Sequence, residues 1–146
     1  MKWNSDKSAQ LTQICLIILS VCHLALDIGA WPLCRWFGGL RGISPVPLCI
    51  VIYGVSLWAW PVIWHLWRLL ANIRREQVFI KENYMHLFHV SWCLVGAAAV
   101  CAVGGFFYYP LFLPAVAAGF MAIILRVLKN VFQEAVEMRS ELDLTV

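Results

Sequence analysis

Four long apolar runs fill a chain of only 146 residues. They fall at about 11–31, 48–70, 87–109 and 111–130. Each of the first three has roughly the 20 residues a helix needs to cross a ~30 Å hydrocarbon core at ~1.5 Å per residue. The fourth is strictly apolar only as far as Leu125. Arg126 and Lys129 have stems that lie along lipid while their charges reach the headgroups, so the span continues to 130. Outside them remain only a few short segments, among them a loop at 71–86, and a tail at 131–146. The expected fold is all-α: one integral membrane four-helix bundle, its fourth helix extending into an amphipathic tail.

The composition excludes a soluble bundle. Charged residues make up 13% of the chain, against about a quarter in a soluble domain, and a small domain needs polar residues to cover its surface. Lys2 and Lys7 precede the first run, but no small-residue cleavage site closes it, so no removable signal peptide is expected.

Basic residues set the expected orientation. Lys2 and Lys7 come before the first run, Arg68, Arg74, Arg75 and Lys81 between the second and third, and Arg126, Lys129 and Arg139 at the end of the fourth. Of the 11 Lys and Arg, only Arg35 and Arg41 are left for the first loop. The positive-inside rule then puts both termini and the 71–86 loop in the cytoplasm. The stretch 32–47, rich in Trp, Gly and Pro, reads as an outer interfacial turn. Gly96, Ala97, Ala98, Ala99, Ala102, Gly104 and Gly105 on the third helix, and Ala115, Ala117, Ala118, Gly119 and Ala122 on the fourth, allow close backbone approach. Those faces join the two helices, or one of them joins two copies.

Polar groups within the spans are candidates for function. His23 and Asp27 share a helix face with Ser20, toward the outer end. Asp27 pairs with Arg35 or Arg41 or sits at the interface, or else belongs to a small proton- or ion-sensing site. Pro61 kinks the second helix. Trp60, Trp64 and Trp67 share one face, and His65, Arg68 and Asn72 a neighbouring one, as interfacial anchors near the boundary. His86 and His89 open the third helix without the further ligands a metal needs. The six Cys form no C-x-x-C pair. Cys34 and Cys49 bracket the outer turn, where only an oxidising compartment would allow a disulfide. There is no nucleophile–base pair, catalytic carboxylate pair or phosphate loop. No enzyme activity, cofactor or metal is expected.

The tail carries an apolar seam at Ile124, Leu128, Val131, Ala135, Met138 and Leu142, with Glu134, Glu137 and Glu141 largely off it. Its acids lie near the negative end of the helix dipole, which disfavours them there. A basic counterpart would offset this: Arg74, Arg75 and Lys81 of the loop, or a basic partner.

The loop stretch Val78-Phe-Ile-Lys-Glu-Asn-Tyr84, followed by Leu87 and Ser91-Trp92, and the ending Val131-Phe-Gln-Glu-Ala-Val-Glu-Met-Arg-Ser-Glu-Leu-Asp-Leu-Thr-Val146, together resemble the DUF2975 family of small four-helix bacterial membrane proteins. Two departures are His86 and His89 where basic residues are usual, and Ala135 where a small residue, commonly Gly, is expected. The resemblance implies a bacterial cytoplasmic (inner) membrane, and a partnership with a small Cro/C1-type helix-turn-helix regulator encoded nearby. The candidate partner-binding residues are Phe79, Glu82, Asn83, Phe132, Glu134, Glu137, Arg139, Glu141 and Asp143, with no direct contact to nucleic acid. The competing expectation is a small transporter, or a subunit of one, that uses His23, Asp27, His65 and Arg68.

Overall fold

The computed structural model describes residues 2–42, 44–75 and 77–144, and the side chains of these except 2–9, 140 and 142–144. Four helices run Lys2–Arg41 (α1), Pro45–Arg74 (α2), Lys81–Gly105 (α3) and Phe112–Leu144 (α4). All four contain a stretch long and apolar enough to cross a membrane. The chain is a multi-pass membrane protein whose outer surface meets lipid. Ile28 is 75% exposed, Leu113 78% and Val116 71%, an outward apolar face that water would not tolerate.

The first helix departs from expectation. The interfacial turn read at 32–47 is mostly helix, because α1 passes through Pro32 and ends at Arg41. Proline removes one backbone hydrogen bond, which a helix in lipid can absorb. The residues beyond it are held by packing, with Cys34 1% exposed. The chain turns instead at Gly42, whose φ of 66° suits glycine. Pro45 then starts α2 at a position where its missing N–H costs nothing.

Each helix packs on the next in sequence, and no other helix pair makes close backbone contact among the described residues. α1 therefore leans mainly on α2, with Phe37 also edge-on to Tyr108 of the α3–α4 turn at 5.6 Å. The space between α1 and α4 is a cavity of about 270 Å³ lined from all four helices, including His23, Trp58, Cys101 and Ala118. The Cys34 and Cys49 thiols are free, and Cys49 Sγ lies 3.8 Å from the Ala30 carbonyl.

The small residues serve two interfaces. α3 and α4 meet as expected, with Ala115 and Ala122 buried. They are joined by a tight turn in which the N–H groups of Phe107 and Tyr108 both bond the Gly104 carbonyl. Gly96, however, faces α2, where a Cβ would stand 2.6 Å from the Trp58 indole. Gly119 has nothing within 4 Å of that position. Gly96→Ala should therefore destabilise the fold by about 1–3 kcal/mol through overpacking. Gly119→Ala should be neutral or gain up to about 1 kcal/mol from helix propensity. Thermal unfolding of both variants in mild detergent checks the contrast.

Candidate functional site

The continuation of α1 to Arg41 moves Asp27 from the end of the apolar helix to its middle. It sits midway along the span Gln10–Arg41, opposite Ser56 and Trp60, which are midway along Pro45–Arg74. A carboxylate at that depth costs about 2.5–3.5 kcal/mol on insertion scales, and α2 supplies the donors that offset it. Ser56 Oγ donates to Oδ1 at 2.5 Å, and Trp60 Nε1 donates to Oδ2 at 3.0 Å. Tyr53 donates its hydroxyl to the Asp27 carbonyl at 3.2 Å. The expected pairing with Arg35 or Arg41 does not form. Arg41 lies over the Phe37 and Tyr108 rings at 4.9 and 5.7 Å, and Arg35 is exposed.

His23, one turn before Asp27, stands edge-on to the Trp60 ring with centroids 5.4 Å apart. Its Nε2 is 3.9 Å from Asp27 Oδ2. That is beyond hydrogen-bond reach, and the nitrogen is buried with no hydrogen-bond partner. Ser20 donates to its own helix, at the Leu16 carbonyl.

A second polar cluster joins residues that the sequence left separate. His65 Nδ1 of α2 is 3.0 Å from His86 Nδ1 of α3, so only one of the two nitrogens carries the hydrogen between them. His89 stacks on His65 at 5.0 Å. No group of three or more His, Cys, Asp or Glu arranged to hold a metal occurs among the described residues. Arg68 is exposed, its guanidinium 5.1 Å from the Trp64 ring centre.

The loop and tail residues divide by burial. Asn83 is 1% exposed. Its amide donates to the Gln77 and Val78 carbonyls, both at 2.7 Å, and its Oδ1 accepts from Asn72 Nδ2 at 2.9 Å. It shapes the loop and does not face a partner. Phe79 stacks on Phe132 of α4 at 6.1 Å, tying the loop to the tail. Glu82, Glu134, Glu137, Arg139 and Glu141 are exposed. Glu137 accepts a hydrogen bond from Gln133. The side chains of Asp143 and Leu142 lie outside the described residues.

The seam of the tail does not form the packing face. Of its members Ile124 and Ala135 are half-buried but Leu128, Val131 and Met138 are 41–56% exposed, while the neighbouring Phe132, Gln133 and Val136 are half-buried. Arg126 sits over Trp92 at 4.9 Å and Lys129 over Tyr84 at 5.8 Å, cation–π contacts that hold α4 to α3. Arg74 of the basic loop bonds Gln13 of α1.

Asn83→Ala leaves two carbonyls and the Asn72 amide without this partner. It should cost about 1–3 kcal/mol and speed proteolysis within the loop. Limited digestion compared with the wild type checks both effects.

No curated protein and no solved structure matches the chain. The profile of one family, described as "Protein of unknown function (DUF2975)", matches residues 42–146, from the α1–α2 turn onward. That stretch holds Ser56, Trp60, the histidine cluster, the loop and the tail, while His23 and Asp27 on α1 precede it. The chain belongs to the DUF2975 family.

Proposed function

We propose that this is a non-enzymatic protein of a bacterial cytoplasmic membrane, with both termini inside, that holds a small Cro/C1-type helix-turn-helix regulator at the bilayer. The observation that carries the reading is the far end of α4. The helix has 33 residues, about 50 Å at ~1.5 Å per residue, so roughly a dozen extend beyond a ~30 Å core. On that extension Val131 and Met138 are 56% and 55% exposed, beside exposed Glu134, Glu137 and Glu141. An apolar stripe edged by acids suits a partner helix with an apolar groove and a basic rim. A regulator's DNA-binding surface is basic, so the same contact would keep it from DNA. The basic residues at this end support the orientation.

The test is co-purification of the neighbouring regulator from the native host in mild detergent. The doubly substituted Val131→Glu, Met138→Glu protein should recover at least about tenfold less, equivalent to about 1.4 kcal/mol. Equal recovery would overturn the tether.

One observation favours a second reading, a small transporter or transporter subunit: Asp27 lies at mid-membrane among donors from α2. Four helices would then act with another copy to form a pathway. Asp27→Asn separates the readings, because it should abolish transport and leave regulator recovery unchanged.

A further inference from the structure

Polar groups flank Asp27 on both sides, with Tyr53 at its carbonyl toward the far end. Toward the end that carries the termini, α1 presents His23 and Ser20. A cleft of about 700 Å³ follows, lined by Ser20, Trp60, Pro61, Trp64 and His65 among others. Trp60, whose indole bonds Asp27, thus shares that cleft with His65, which meets His86 at 3.0 Å. Toward the opposite end Ala30 and Cys49 are 0% and 6% exposed, and beyond them Cys34 and Val51 line a further cavity of about 100 Å³.

The site lacks one charge. Ser56 and Trp60 are neutral donors, so they orient the carboxylate without cancelling its charge. Tyr53 bonds the Asp27 carbonyl instead. On α1 itself the other polar neighbour is Ser20, which is bonded to Leu16. α3 contributes Cys101 to the cavity that His23 lines, and α4 contributes only Pro114 and Ala118. The base within reach is His23, whose buried Nε2 has no partner and stands 3.9 Å from the carboxylate. A proton on that nitrogen would give both the orphaned atom and the carboxylate a counterpart.

We propose that His23 and Asp27 form one proton-binding site at the membrane centre, exchanging only with the side that carries the termini, through the cleft and the His65–His86 pair. One N–H bond forms on His23 as one breaks on the water or imidazole that delivers the proton, and nothing is oxidised. His65 acts as a positioning residue. The site deepens the transporter reading by naming its ion, but it requires only binding. It stands whether or not net transport occurs or a regulator is bound.

The experiment uses the full chain, labelled with ¹⁵N-histidine, in lipid vesicles. Orientation is read from protease access to the α4 tail, and pH is stepped on one side with an impermeant buffer. The infrared carboxylate stretch, assigned by its loss in Asp27→Asn and shifted when a cation forms beside it, and the His23 nitrogen resonances report the site. Both signals should titrate together and follow the pH on the tail side alone. His65→Phe should slow the response severalfold and leave its amplitude unchanged. A site that never titrates is a permanent latch and overturns the proposal. A response to the opposite side, or an unchanged rate in His65→Phe, overturns the route. The His23 resonance in the wild-type chain decides the binding question even if Asp27→Asn fails to fold. Net proton flux, measured separately, bears on transport only.

Discussion

The close approach of α2 and α3 is the constraint on which the rest depends. The Trp58 indole occupies the space where a Cβ on residue 96 would stand, and Val51 does the same at Gly104. With no hydrophobic force between helices in lipid, such backbone-level packing is what holds two spans together. It also sets their register. Once Trp58 lies against Gly96, His65 must meet His86 and His89, and Asn72 must meet Asn83. The order of the loop follows from that last pair, and the Phe79–Phe132 stack carries it to the end of α4.

α1 is attached on different terms. Its close backbone contact among the described residues is with α2 alone, and most of its apolar side chains face outward, Leu11, Val21 and Ile28 among them. Its hold on α2 combines a few small buried residues, such as Ala30 and Cys34, with the Asp27 bonds to Ser56 and Trp60. A single interhelical hydrogen bond in lipid contributes about 0.6 kcal/mol on average. The bonds that Asp27 accepts therefore bear directly on how firmly α1 is docked. The family profile begins at residue 42, so the α2 half of this contact lies within it and the α1 half does not.

Much of the candidate site was within reach of sequence reasoning once the loop was located. His65 and His89 lie equally far from Gln77, as do Trp58 and Gly96, and a tight antiparallel hairpin pairs such positions. The reading of His65 as an anchor and of His86 and His89 as a boundary pair treated each helix alone. The burial of Asn83 depends on Asn72 and two loop carbonyls, none of which local pattern exposes. The seam through Val131 and Met138 was periodic enough to suggest packing, yet the side that packs is the one bearing Phe132 and Val136. Periodicity locates a stripe and does not say which neighbour, if any, covers it.

The sequence by itself determined the number of helices, their approximate spans and their membrane character, because apolar length and charge placement answer to the bilayer's thickness and headgroups whatever the helices do to one another. The tertiary structure alone decided that α1 runs past Pro32, that Asp27 therefore lies midway along its span, and that the histidines of two helices converge. Those outcomes rest on packing between segments distant in the chain. A proline's effect on a helix and a carboxylate's surroundings both depend on which neighbours stand beside them, and no single helix carries that information.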